Sequence, residues 1–308
     1  MWYTQGVIDQ PGVSRRAVLA GAAALLARPA AAKEKLKVSI FSKHLQFVQG
    51  AELAKAASDL GFDGVDITVR KGGHVEPQRV KQDLPGLVAI LRKQGLEVPM
   101  VTTDIADADT PFAEDVIRTA AELGIRHYRS GGLKYTADQP LPAQLDAFRV
   151  RLEGLARLNA KYQSCAMYHT HSGVGLVGAP IWDLYVMMKD IDPKLVGINY
   201  DIGHATIEGG LGGWIASYRV AGPHVRGIAV KDYVWAKDAR GRWREQWCPI
   251  GEGMVHFPEF FSMVAASGFN GPLQVHYEYE LPKERAGEYA AMKRDLTTLR
   301  GYLEKAAL

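Results

Sequence analysis

Imidazole and carboxylate groups stand at the ends of several short apolar runs in this 308-residue chain. LVGINYDIGHA (195–205) closes on Asp201, Gly203 and His204, CAMYHTH (165–171) carries His169 and His171, and PLQVHYE (272–278) carries His276 and Glu278. Residues two apart on a strand share a face, so each run presents its ionisable groups together, and Gly197, Asn199 and Asp201 fall on one side. Imidazole combined with carboxylate suits a divalent ion such as Zn²⁺, Mn²⁺, Co²⁺ or Mg²⁺. His169, Asp201 and His276 are the candidate ligands. Glu278 and Lys231, the latter following VRGIAV (225–230), are candidate acid/base or polarising groups.

Other runs end the same way. FDGVDITV (62–69) puts Asp66, Thr68 and Arg70 on one face and leads to His74, LKVSIF (36–41) leads to Lys43 and His44, and IRHYRS (125–130) carries Arg129. His204, His74, Arg70 and Arg129 are candidate contacts to substrate hydroxyls. The stretch 231–254 reads as a long loop whose Trp235, Trp243 and Trp247 offer stacking surfaces for a sugar ring, Trp235 first among them. Each group has a structural alternative: Asp66, Asp201 or Asp232 as helix caps, single histidines as satisfied core groups, the tryptophans as the loop's own core. Jointly, ionisable groups at successive strand ends would repel or desolvate one another unless a metal or polar substrate organised them.

The elements that must hold these groups alternate along the chain. Strand patterns at 36–41, 62–69, 96–103, 125–130, 165–171, 195–201, 225–230 and 272–278 are separated by helical spacing at 49–60, 77–94, 111–123, 141–162, 181–190, 211–220, 256–267 and 284–305. Glycines 61, 95 and 124 close three of the helices, and Pro77 opens one. Eight such pairs with no break in composition predict a (β/α)8 barrel, in which the chemistry sits at the carboxyl ends of the strands.

Hydrophobic content of 47% and charged content of 23% are those of a globular protein. Residues 1–32 differ: SRRAVLAGAAALLARPAAA has paired arginines, a short uncharged stretch and a small-residue cleavage pattern. It predicts a twin-arginine export signal cleaved after Ala32 and a periplasmic or otherwise exported protein, with the barrel over 33–308. The apolar stretch is too short and Ala-rich to predict stable membrane insertion after cleavage. No Lys/Arg cluster points to nucleic acid, and the composition is compatible with a homo-oligomer. Cys165 and Cys248 are far apart in sequence and read as unpaired thiols.

The chain resembles the sugar-phosphate isomerase/epimerase family, the xylose isomerase-like barrels related to apurinic-site endonucleases. The landmarks are GFDGVDI (61–67), YHTH (168–171), DIGHA (201–205), VKD (230–232), IGEG (250–253) and HYEYE (276–280). TVRKGGHVEP (68–77) and WCPIGEGM (247–254) resemble an exported branch in particular. The resemblance implies one divalent metal held by Glu, Asp, His and Glu from strands five to eight. Asp201 matches the Asp, and His204 matches the substrate-contacting His. The first Glu falls on His169, the second on His276, or on Glu278 if the register slips by two, and the metal-binding His falls on Ala229.

The expected function is a metal-dependent isomerase or epimerase that removes a proton next to a carbonyl of a ketose or oxidised sugar. Two alternatives stand beside it: a lyase or hydrolase cleaving keto-glycosides on the same scaffold, and a non-catalytic sugar-binding protein.

Overall fold

The computed structural model describes residues 35–308, with one compact unit over Leu36–Leu308. The proposed export segment lies outside the described residues. Eight parallel strands close into a barrel: β1 (Val38–Phe41), β2 (Gly64–Val69), β3 (Met100–Thr103), β4 (His127–Arg129), β5 (Cys165–His169), β6 (Val196–Asp201), β7 (Val225–Val230) and the last strand, numbered β10 (Leu273–Val275). Each pairs with its neighbour in sequence, and β10 closes on β1. The (β/α)8 expectation is met; six of the eight strands begin later than the sequence runs, and β4, β5 and β10 also stop earlier.

The helices α1 (Gly50–Leu60), α2 (Val80–Lys93), α3 (Ala113–Glu122), α4 (Leu141–Tyr162) and α5 (Trp182–Met188) follow the first five strands. α6 (Ile202–Gly209) and α7 (Gly213–Ala221) follow β6, α8 (Phe257–Ser267) precedes β10, and α9 (Arg285–Lys305) ends the chain. The main apolar core lies between strands and helices and includes Ile40, Val65, Ile198, Phe257 and Leu299, all fully buried. A separate group inside the barrel, Met100, Cys165 and Met167, forms an apolar floor. Both cysteines are free. No helix among the described residues is long and apolar enough to cross a membrane.

Two departures from the sequence expectation matter for the site. Residues 202–209 form α6 rather than a turn, so His204 sits in the helix's first turn. The stretch 231–254 is not an open loop. It holds an antiparallel hairpin, β8 (Asp232–Lys237) and β9 (Trp243–Cys248).

A bulge sets the register of the inner face. Ile198 faces Val225 but Asn199 faces Gly227, leaving Arg226 as the extra residue in β7. Gly197 makes room for it: a Cβ there would stand 2.2 Å from Arg226 Cγ. Beyond the bulge Asp201 faces Ala229, and Lys231 follows on the same face.

Asp232 anchors the hairpin. Its buried carboxylate accepts hydrogen bonds from the backbone amides of Tyr233, Gly251, Gly253 and Val255 at 2.9–3.1 Å. Gly253 must be glycine, since a Cβ would lie 2.2 Å from Asp232 Oδ1. Asp232 thus acts as a clasp on the IGEG segment, not as a helix cap. Replacing Asp232 with Ala leaves these amides without an acceptor and is expected to cost on the order of 3 kcal/mol. Calorimetric melting should show a fall of several degrees.

Candidate active site

The carboxyl ends of β5, β6, β7 and β10 bring one carboxylate, several imidazoles and one ammonium together. Asp201 is fully buried and works through both oxygens. Its Oδ1 accepts from the His204 amide at 3.0 Å and so caps α6. Its Oδ2 stands 3.5 Å from His169 Nε2, 3.2 Å from Lys231 Nζ and 4.0 Å from His276 Nδ1. Asp201 thus caps α6 with one oxygen and turns the other toward the barrel mouth. Thr170 Oγ1 accepts from the Asp201 amide at 2.9 Å and fixes the strand end.

Asp201 Oδ2, His169 Nε2 and His276 Nε2 are buried without a hydrogen-bond partner. One ligating atom from each of His169, Asp201 and His276 can be chosen so that all lie within 4.8 Å of one another. Ligand atoms around a tetrahedral ion with bonds of about 2.0–2.1 Å sit roughly 3.4 Å apart. The donor set and its orphaned atoms fit a divalent ion. Asn199 lies 3.1 Å from His169 Nδ1, and its Oδ1 has no partner. With the amide turned so that Oδ1 accepts from Nδ1–H, the His169 Nε2 lone pair faces Asp201, the usual outer support of a ligating histidine. Ala229, buried opposite Asp201, adds only a methyl group to the mouth.

Lys231 is buried at the centre of the mouth. Besides Asp201 its Nζ meets His204 Nε2 at 2.7 Å and Glu278 Oε1 at 3.4 Å, and lies 4.3 Å from the centre of the Trp247 ring. Gly203 permits the approach, because a Cβ there would come within 2.8 Å of Lys231 Cγ. His204 is held at its other nitrogen by Ser172 Oγ at 2.8 Å. It bridges Lys231 and Ser172, with neither nitrogen free.

Burial governs the ionisation of the site. It pushes His169 and His276 well below the usual imidazole range, aided by Arg129 and Lys231, so both are neutral ligands at neutral pH. His171 falls to about 4 for the same reasons. Asp201 rises to about 6 because burial outweighs the Lys231 ammonium and the His204 amide. Burial also pushes the Glu278 carboxyl up, but Lys231, Lys43 and His44 outweigh it and hold it below the usual range. Glu278 is thus an ionised rim carboxylate with about a third of its side chain exposed.

The remaining predicted residues lie around this centre. Arg129 points inward and meets His171 Nε2 at 3.4 Å, and Arg70 lies beside it over Phe41. His74 is set apart: Thr68 Oγ1 at 3.1 Å and Val48 O at 3.1 Å take both ring nitrogens. Trp235 is exposed and its ring contacts Tyr233, whereas Trp247 is the hairpin tryptophan that meets His204 and Lys231. The alternation of the hairpin explains this, since Lys231 needs a cover from β9, on which Trp247 pairs with Tyr233. Asn199, His171, Ser172 and Trp247 surround the predicted set; the sequence placed Asn199 on the face of Asp201, His171 on that of His169 and Trp247 among the stacking tryptophans, and only Ser172 carried no signal. A cavity of about 650 Å³ lies near the opposite ends of β7 and β10, lined by Tyr218, Arg226, Phe269 and Gly271 among others. It shares no lining residue with the group formed by His169, Asp201 and His276.

Residues 54–297 match the family model described as a xylose isomerase-like TIM barrel. The chain belongs to that family. Similar solved structures are a xylose isomerase domain protein from Alicyclobacillus acidocaldarius (15% identity, 88% of this chain, 99% of that one, TM-score 0.69) and a D-tagatose 3-epimerase-like protein (18%, 88% and 98%, 0.67). Another is the 3-keto-D-glucoside 4-epimerase from E. coli (14%, 87% and 100%, 0.63). Family neighbours of this fold include sugar epimerases and isomerases. An uncharacterized protein of Methanocaldococcus jannaschii is 31% identical over 101 residues, spanning 33% of this chain and 32% of that relative's length.

Asp66, fully buried on β2 with Thr102 Oγ1 at 2.7 Å, rises to about 7 through burial. A carboxyl raised in the folded state binds its proton more tightly there than in the unfolded chain. Its contribution is favourable at low pH and is lost as pH climbs from about 4 towards 7. Asp66→Asn removes that loss, so its melting temperature relative to the parent should rise between pH 5 and about pH 8. An offset independent of pH would contradict the assignment.

Proposed function

We propose that this protein is an exported, divalent-metal-dependent sugar isomerase or epimerase acting next to a carbonyl of a ketose or oxidised sugar. The observation that carries the reading is the convergence of His169, Asp201 and His276, with three buried atoms that make no hydrogen bond, beside the oppositely charged pair Lys231 and Glu278. Family membership and the epimerase names of several fold neighbours support it. The export assignment rests on the twin-arginine pattern of residues 1–32.

His169, Asp201 and His276 would hold the ion, and the bound ion supplies Lewis-acid polarisation of a carbonyl and its neighbouring hydroxyl. The chain's own groups then divide the proton work. Glu278 is ionised and partly open to the mouth, suited to accept the proton from carbon. Lys231 presents its ammonium to a developing oxyanion, held in place by His204 and Asp201. Trp247 covers Lys231 and excludes water from that side.

Two measurements test this. Metal analysis of protein purified from its own compartment should find about one divalent ion per chain, lost in Asp201→Ala. Incubation of ketoses and keto-glycosides in deuterated water should give metal-dependent incorporation of deuterium at one carbon. That exchange should fall by about 10²–10⁴-fold in Glu278→Gln and in Lys231→Met. Full metal retention in Asp201→Ala, or exchange unaffected by both variants, would refute the proposal. Release of a second sugar or an aglycone would assign cleavage, not epimerisation, as the outcome.

A further inference from the structure

We propose that the face of the β8–β9 hairpin that covers Lys231 is a binding strip for a second, neutral sugar ring, so that the substrate is a ketose carrying a glycosyl substituent. This rests on the sugar-isomerase reading above and adds to it the size of the substrate.

Opposed residues of an antiparallel pair share a face. The rungs Tyr233–Trp247, Trp235–Glu245 and Lys237–Trp243 therefore lie on one side of the ribbon, and Val234–Gln246 and Ala236–Arg244 on the other. Every tryptophan of the hairpin falls on the first side. At its base that side is turned to the mouth, because Trp247 meets His204 with ring centres 5.1 Å apart and stands over Lys231. From there the strip runs outward. At roughly 3.4 Å per residue, the Trp235 rung is about 7 Å farther along the ribbon and the Trp243 rung about 14 Å. A reacting sugar at the ligating cluster with another ring attached covers such a span.

The base and the outer part of the strip differ in what their rings do. Tyr233 is 1% exposed, and it and Trp247 pack with the main apolar core. Trp235 and Trp243 are 39% and 63% exposed. Among the described residues their rings do not pair with each other: Trp235 meets Tyr233 with the planes at 87°, and Trp243 has Lys237 Nζ 5.4 Å from its centre. A ribbon that needed only to stay folded would set its large rings opposite one another, where cross-strand pairs stabilise it. Here Trp235 stands opposite Glu245 and Trp243 opposite Lys237. An indole beside a polar group is the combination that takes a sugar: the ring face covers the apolar C–H side of a pyranose, and the neighbour hydrogen-bonds its hydroxyls. Glu245 and Lys237 offset each other in charge, which favours a neutral ring over an ionic one.

The strip is also stiff at both ends. Asp232 clasps the base, and at the tip the Asp238 carboxylate accepts from the Arg240 and Arg242 amides at 2.9 and 3.0 Å and from Arg242 Nε at 2.9 Å. Large rings held on such a frame lose little freedom when a ligand lies on them.

The test is calorimetric binding of fructose, maltulose and lactulose to the full-length, Mn²⁺-loaded protein, the two disaccharides being the same ketose with a glucosyl or a galactosyl substituent. At least one disaccharide should bind about tenfold more tightly than fructose, as expected for stacking on an exposed indole. The advantage should persist in roughly 0.5 M NaCl, since no ion pair is made. The double variant Trp235→Ala/Trp243→Ala should abolish the preference with metal content unchanged, and Trp235→Phe/Trp243→Phe should retain part of it. Both rings are exposed, so a melting temperature near that of the parent confirms that the variants fold. Equal or undetectable binding of all three sugars, a preference that survives the alanine variant, or one that vanishes in salt overturns the inference. A dimer in sedimentation that the alanine variant dissociates, with equal sugar affinities, would give the face to a second copy of the chain and overturn it as well. Deuterium exchange into fructose alongside equal affinities would sink the strip alone. A disaccharide preference lost in the alanine variant, without exchange into any sugar, would sink the catalytic reading alone.

Discussion

A carboxylate taken wholly out of water must be compensated, and the architecture of this barrel mouth follows from how Asp201 is compensated. One oxygen is satisfied inside the chain by the first turn of α6. The other faces two imidazoles and an ammonium and has no hydrogen bond of its own. Desolvating a charge costs several kcal/mol unless cations or strong donors replace its water. The structure meets that cost with Lys231 and with a geometry open to a divalent ion. Cap and ligand are thus one residue, which ties the placement of α6 to the electrostatics of the site.

Lys231 sets the charge balance around Asp201. Ala229 faces Asp201 across the strand pair, and the next inward residue, Lys231, carries a positive charge to the same region. The bulge at Arg226 keeps both in register with Asp201, and two glycines clear the way: Gly197 for the bulge and Gly203 for the lysine stem. None of the three is chemically active, yet a side chain at either glycine would displace a neighbour the site relies on.

Much of this was legible in the sequence, for definite reasons. Alternation along LVGINYDIGHA and CAMYHTH fixes which residues share the inner face, so His169 and Asp201 follow from period two, and the count of strand–helix pairs gives the barrel. Three features escaped. α6 begins within the DIGHA motif itself, because a single carboxylate can end a strand and cap a helix at once. The hairpin of β8 and β9 reads as loop in sequence since β9 is largely exposed and charged, and its anchor is the Asp232 carboxylate with Tyr233 and Trp247 packed at the base. Choosing Trp247 over Trp235 requires knowing which β9 residue pairs with Tyr233, a register that sequence spacing does not encode. His74 was misleading for the opposite reason: a polar residue at a strand end can be spent on bracing its own turn.

The clasp formed by Asp232 has an evolutionary consequence. All of its hydrogen bonds fall at the base of the hairpin, while the tip at Asp238–Arg242 is held only by its own turn. Length and composition at the tip are therefore free to drift with little penalty to folding, while Lys231 and Trp247 stay where the base puts them. A graft of a few residues at the far end of the ribbon would leave the groups at the mouth untouched.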